Sequence, residues 1–165
     1  MRIYLIGMMG SGKSTVAEAL GEAMNLSIID LDTYIENATG LSINNIFKNL
    51  GEAWFRVMER ESLKNLSQNP SFIMATGGGT PCFFDNMDLM QKSGISIFLN
   101  LNTEKLLERA DSTHRPLIQD DDSNHELFTE MLEKRKTVYN QAQIVINTDR
   151  PVKEIVEEII SNIQT

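Results

Sequence analysis

A chain of 165 residues, 41% hydrophobic and 23% charged, has the size and make-up of one globular domain with a single substantial core. Its net charge of −8, with lysines and arginines scattered singly, argues against a nucleic-acid surface, and no apolar run approaches the ~20 residues of a membrane span. Cys82 stands alone, so a disulfide within the chain is excluded; the thiol reads as a small, partly buried apolar group, and neither His114 nor His125 lies at metal-ligand spacing from it.

In chain order, Arg2–Ile6 (RIYLI) reads as a buried strand. Met1-Arg2 leads straight into it without the layout of a signal peptide, so the expected location is cytoplasmic. Lys13–Met24 carries Val16, Ala17, Leu20, Ala23 and Met24 on one helical face. Leu26–Ile29 reads as a second strand ending at Asp30. Asp32–Asn37 and Ser42–Leu50 read as short helices, and Glu52–Leu66 as a longer, charged one. Phe72–Ala75 is a third strand, followed by Thr76 and three glycines. Phe84–Lys92 reads as a helix and Ile95–Leu101 as a fourth strand. Thr103 is a candidate cap for a helix through Arg109. Residues 111–125 are polar and acidic, and at that length read as a mobile functional loop or lid. Glu126–Gln141 is again helical, Ile144–Ile146 is a fifth strand, and Val152 to Ile163 forms a last amphipathic helix. Strands alternating with helices predict a three-layer α/β/α fold around a central five-stranded parallel sheet.

Gly7-Met8-Met9-Gly10-Ser11-Gly12-Lys13-Ser14 satisfies G-x-x-x-x-G-K-[ST], with a strand before it and a helix after it. The glycines let the backbone curl around phosphate oxygens. The loop amides of Gly10, Ser11 and Gly12 and the positive end of the helix then form an anion cradle. Lys13 reaches the β- and γ-phosphates of a nucleoside triphosphate, Ser14 offers its hydroxyl to Mg²⁺, and Thr15 adds a contact to the α-phosphate. The motif predicts triphosphate binding without choosing between kinase, GTPase and ATPase. No N-K-x-D string is present to read guanine.

No carboxylate follows the third or fourth strand directly, so the residue that holds Mg²⁺ must come from elsewhere. Asp30, at the end of the second strand, is the candidate, acting through water. Strand C-termini face the ligand crevice in open α/β sheets, so Asp30, Asp32, Gly77, Gly78, Gly79 and the phosphate loop are expected to converge. Asp32 has two readings: an N-cap for the helix that follows, or the group that orients an acceptor hydroxyl and takes its proton late in transfer.

The pattern resembles the shikimate kinases along nearly the whole chain. GMMGSGKS is followed by DLDTYIENATG (Asp30–Gly40), by SINNIFKNLGEAWFRVMERE (Ser42–Glu61), by TGGGT (Thr76–Thr80), by HRPL (His114–Leu117), by KRKTVY (Lys134–Tyr139) and by INTDRP (Ile146–Pro151). In this order and spacing the pieces are specific together. The resemblance implies a nucleoside-monophosphate-kinase-like P-loop fold with substrate-binding helices over about residues 31–60 and a lid over about 111–125. It implies ATP-dependent phosphorylation of the 3-hydroxyl of shikimate, in the route to chorismate and the aromatic amino acids, with Mg²⁺ accompanying ATP.

It also implies roles for single residues. Arg56 and Arg135 would clamp the acceptor carboxylate, for which a guanidinium fork is suited. Asp32 would take the acceptor hydroxyls, and Gly77–Gly79 would present backbone amides where a side chain would collide. Glu59 would orient Arg56 or pair on the surface, and Phe47 and Phe55 would wall the pocket or sit in the core. Arg115 would close over the phosphates, Arg109 would pack on the adenine face, and Arg150-Pro151 would line its other side, with Pro151 at the first position of the last helix. The acidic run around Asp120–Asp122, and Asn147 and Asp149 in the adenine loop, depart from the family pattern. A gluconate kinase would share the loop and lid but lack the arginine pair. A non-catalytic nucleotide module would need no acceptor clamp. The expected partners are ATP and shikimate, with no nucleic acid or membrane, and the expected state is a monomer.

Overall fold

The computed structural model describes residues 1–112 and 122–164. In chain order the elements are β1 (Arg2–Ile6), α1 (Lys13–Met24), β2 (Ile28–Asp30), α2 (Leu31–Thr39), α3 (Ile43–Leu50), α4 (Glu52–Leu66), β3 (Phe72–Ala75), α5 (Asn86–Ser93), β4 (Ile95–Asn100), α6 (Thr103–Ser112), α7 (Asp122–Tyr139), β5 (Ile144–Asn147) and α8 (Val152–Gln164). The five strands form one sheet in the order β2-β3-β1-β4-β5, every pair parallel.

Period-two alternation along the strands builds the three layers. Ile3 and Leu5 of β1, with Ile73, Ile97 and Leu99, face one core shared with Val16 and Leu20 of α1 and Ile155 and Ile159 of α8. Tyr4 and Ile6, with Phe72, Met74 and Phe98, face the other core. There they meet Leu31 and Ile35 of α2, Ile46 of α3, Leu63 of α4, Met90 of α5 and Tyr139 of α7. The expected α/β/α architecture is therefore present. Chain order reverses on either side of β1, which places the loop after β1 beside the loop after β3, at the point where such sheets bind ligands. No helix among the described residues is long and apolar enough to cross a membrane.

Local chemistry moves several element ends from their expected positions. β2 starts at Ile28, because Asn25 takes the left-handed conformation (φ 52°) and the Leu26 N–H donates to the Gly21 carbonyl. Leu26 thus closes the end of α1 and does not open the strand. Asp30, not Asp32, is the N-cap of α2, since its carboxylate accepts from the Thr33 N–H at 3.0 Å. The capping alternative for Asp32 falls with that. Asn102, not Thr103, caps α6 by accepting from the Lys105 N–H at 2.8 Å. Pro81 sits in a short 3-10 turn (Thr80–Cys82), and Phe84 holds a positive φ of 52°, so α5 begins only at Asn86. Pro151 precedes the first residue of α8, and its carbonyl accepts from the amides of Glu154 and Ile155. Both flanks of the segment expected to be a loop are helical, since α6 runs to Ser112 and α7 starts at Asp122. The remainder, including Arg115, lies outside the described residues.

Gly7 shows how tightly β1 passes its neighbour. Its φ is +145°, and a Cβ there would lie 2.8 Å from the Leu99 carbonyl oxygen of β4. Gly7→Ala should cost on the order of 1–3 kcal/mol, read as a lowered urea midpoint. An unchanged midpoint would show that the strand can shift to admit a methyl group.

Candidate active site

The phosphate loop joins the central strand β1 to α1. Val16 is the first helical donor, to Gly12 at 2.9 Å, so the amides before it have no acceptor in the helix and lie at the positive end of its dipole. Lys13 turns back over the loop, and its Nζ donates to the carbonyls of Gly7 and Met8, each at 2.9 Å. The Ser14 hydroxyl donates to Asp30 Oδ2 at 3.3 Å, while Asp30 Oδ1 holds the start of α2. Asp30 therefore touches the phosphate-loop helix α1 and the start of α2 together. Thr15 is exposed in the first turn of α1.

Beside this loop, the glycine triplet after β3 is a meeting point of charges. A methyl group on Gly77 would lie 3.0 Å from Thr80 Oγ1, and 3.1 Å from both Asp32 Oδ1 and Glu59 Oε1. One on Gly78 would lie 3.4 Å from Arg135 Nη1 and 3.4 Å from the Met9 amide nitrogen. One on Gly79 would overlap Arg56, 2.6 Å from Nη2. Asp32, Arg56, Arg135 and the phosphate loop thus surround the same three residues, with the space for a side chain taken at Gly79, tight at Gly77 and open to ordinary contact at Gly78.

Arg56 is only 7% exposed, in α4. Its Nη1 donates to Glu59 Oε2 at 2.9 Å, and its Nε and Nη2 donate to Glu52 Oε1 at 3.2 and 3.1 Å. The guanidinium lies 4.0 Å from the centre of the Phe83 ring, with Phe55 at 5.1 Å and Phe47 at 5.9 Å. Phe55 is buried and belongs to the core, as one of its two readings expected, while Phe47 is partly open to solvent. Glu59 is fully buried, and its second oxygen accepts from Thr80 Oγ1 at 2.6 Å. The Glu59 contact is thus the orienting one, not a surface pair. Glu52 and Glu59 lie one turn either side of Arg56, the spacing at which helix side chains meet.

Arg135 of α7 touches Met8 Sδ at 3.6 Å. One turn later, Tyr139 donates its O–H to the Gly78 carbonyl. Burial pushes this phenol far above its ordinary value against the pull of Arg135, so it stays protonated. Burial likewise raises the Cys82 thiol, outweighing the lowering by Arg135 and Arg56, which favours the protonated thiol over the thiolate. Arg109 donates to the Gly10 carbonyl at 2.9 Å and so lies on the rim of the phosphate loop. Arg150 is turned to its own surroundings, donating to the Asn147 carbonyl at 3.1 Å and pairing with Glu158. The two unusual residues of that loop serve it directly. Asn147 Oδ1 accepts from the Asp149 N–H at 2.8 Å, and Asp149 pairs with Lys105 of α6.

Thr80, Phe83 and Tyr139 were given no part by sequence reasoning. Thr80 and Tyr139 lie inside the quoted TGGGT and KRKTVY strings, so their place in those strings was the available signal. Phe83 carried none. Thr80→Val, which keeps the shape and removes the donor to a buried carboxylate, should cost about 1–3 kcal/mol in chemical denaturation. An unchanged midpoint would mean that Arg56 alone satisfies Glu59.

The strand order, the phosphate loop on the central strand and the charged groups gathered at the neighbouring strand end define a P-loop kinase. A family model described as "Shikimate kinase" matches residues 9–164. The shikimate kinase of Aquifex aeolicus is 39% identical over 166 residues, covering 99% of this chain and 96% of that protein. The crystal structure of shikimate kinase from Bacteroides thetaiotaomicron superposes with a TM-score of 0.94 at 33% identity, over 100% of this chain and 99% of that one. That of Acinetobacter baumannii shikimate kinase in complex with shikimate gives a TM-score of 0.91 at 31% identity, over 99% and 92%. The chain belongs to the shikimate kinase family.

Proposed function

We propose that this pocket transfers the γ-phosphoryl group of ATP to the 3-hydroxyl of shikimate, giving shikimate 3-phosphate and ADP on the route to chorismate and the aromatic amino acids. The observation that carries the reading is the placement of Arg56, Arg135 and Asp32 around one side-chain-free turn next to the phosphate loop. A small hydroxylated acid needs those groups: planar cations for its carboxylate, an anion for its hydroxyls, and backbone donors close by. Membership of the family, and the shikimate complex of the Acinetobacter relative, support the choice of acceptor.

In this reading the amides of Gly10, Ser11, Gly12, Lys13, Ser14 and Thr15 hold the phosphates. Lys13 leaves the Gly7 and Met8 carbonyls for the β- and γ-phosphates, and Arg109 and Arg150 flank the adenine. Arg56 and Arg135 take the carboxylate, with Gly77–Gly79 lining that end. Asp32 orients the attacking hydroxyl and takes its proton late in a loose, in-line transfer. Arg115, assigned through the HRPL resemblance, adds a cation over the transferring group. Residues 111–125 act as the lid that excludes water, which would otherwise compete as acceptor. Residues 31–60 form the acceptor-side region of one kinase domain. The chain works as a cytoplasmic monomer that uses neither nucleic acid nor membrane.

The donor set fits Mg²⁺. Ser14 and Asp30 bring a hydroxyl and a carboxylate oxygen together at the phosphate loop, and hard oxygen ligands of this kind suit a cation that stays largely hydrated and phosphate-bound. Among the described residues no cluster of three protein ligands exists, and none is needed where the nucleotide supplies oxygens. Bound Mg²⁺ would neutralise charge on the β- and γ-phosphates.

The deciding experiment is an ADP-release assay with shikimate and gluconate as rival acceptors. Turnover with shikimate is expected, and turnover with gluconate alone would overturn the acceptor. Arg135→Ala should raise KM for shikimate about 10- to 100-fold and leave KM for ATP within about twofold. A change in the ATP constant alone would remove Arg135 from the acceptor site. Asp30→Asn should raise the Mg²⁺ concentration needed for half-maximal rate by about tenfold. An unchanged Mg²⁺ titration would release Asp30 from that role.

A further inference from the structure

Every carbonyl from Gly77 to Thr80 is held by a donor. Gly77 accepts from the Thr80 N–H at 3.1 Å, and Gly79 from the Cys82 N–H at 2.9 Å. Gly78 accepts from the Tyr139 O–H, and Thr80 from Asn86 Nδ2 at 2.8 Å. Only the Gly78 bond reaches across to α7. In a trans peptide the C=O of one residue and the N–H of the next point in opposite directions, so fixing the first aims the second. The Gly78 carbonyl therefore sets the direction of the Gly79 N–H, and among the described residues that N–H has no partner.

A peptide between two glycines has little steric reason to keep one orientation. Turned over, it would offer a carbonyl oxygen where it now offers an N–H. At a site built for an acid, that exchanges attraction for repulsion. We infer that Tyr139 is a positioning residue of the acceptor site: by holding the Gly78 carbonyl it aims the Gly79 amide at an oxygen of the bound acid, between Arg56 and Arg135. The hydroxyl is well fitted to this task. A carbonyl cannot donate, so the direction of the bond is fixed, and the phenol keeps its proton at any working pH. Its ring is fully buried, 5.1 Å from that of Phe98, and its oxygen also meets Met8 Sδ at 3.8 Å. Tyr139 follows Arg135 by four residues on the same face of α7, so one turn of helix delivers a guanidinium to the acceptor and a tether to the backbone facing it.

The inference rests on the acceptor reading above, and Tyr139→Phe separates the two, because it keeps the ring and removes only the donor. The expected result is a rise of about tenfold in KM for shikimate, with the ADP dissociation constant within about twofold of the wild type. A shikimate constant within twofold of wild type overturns the inference. So does parallel weakening of shikimate and ADP with a lowered Tm, which would mark Tyr139 as merely structural. If the wild-type protein fails to turn over shikimate, the acceptor reading itself is lost; wild-type turnover with an unaffected variant sinks only the role of Tyr139. Should the variant not fold, the Gly79 amide is followed by NMR in ¹⁵N-labelled wild-type protein. Its proton should shift downfield on shikimate titration, and an unmoved signal overturns the proposal.

Discussion

The contact on which the pocket depends is the buried ion pair between Arg56 and Glu59. An arginine only 7% exposed is expensive to bury alone, and a fully buried glutamate more so. Each cancels the other, and both have further partners: Glu52 and the ring of Phe83 for the arginine, Thr80 for the glutamate. A pair satisfied in this way does not drift. It fixes a cation against Gly79, and through Thr80 it fixes the turn that carries the glycines.

That local order matters more in this protein because its overall field runs the other way. With a net charge of −8, long-range attraction for an anionic nucleotide and an anionic acceptor is absent. The chain compensates at close range. Lys13, Arg109, Arg135 and Arg56 come from four different helices to the C-terminal ends of neighbouring strands, where backbone dipoles add to their effect. The sheet order brings them together, since it sets the loop after β1 against the turn after β3.

The architecture was legible in the sequence because its signals are local. Apolar strands, helical faces and a contiguous phosphate loop can be read within windows of a dozen residues. Element ends were less legible, because one hydrogen bond decides them. Asp30 and Asn102 capture the helix starts for which Asp32 and Thr103 were the candidates, and Leu26 is drawn into the cap of α1. The pocket residues divide in the same way. Arg56 and Arg135 were brought forward only by the family resemblance, since no spacing within their own helices marks a pocket residue. Thr80 and Tyr139 act through Glu59 and the Gly78 carbonyl, partners far away in sequence, and no periodicity announces such a contact.

The resting position of Lys13 has a consequence for how the nucleotide arrives. Its ammonium group donates to two carbonyls of its own loop, so protein oxygens already stand where part of its hydration shell would be. An incoming triphosphate exchanges those oxygens for anionic ones and has little water to strip from the lysine. The same contacts hold the side chain folded back over the loop, close to where the motif places the tail of the nucleotide.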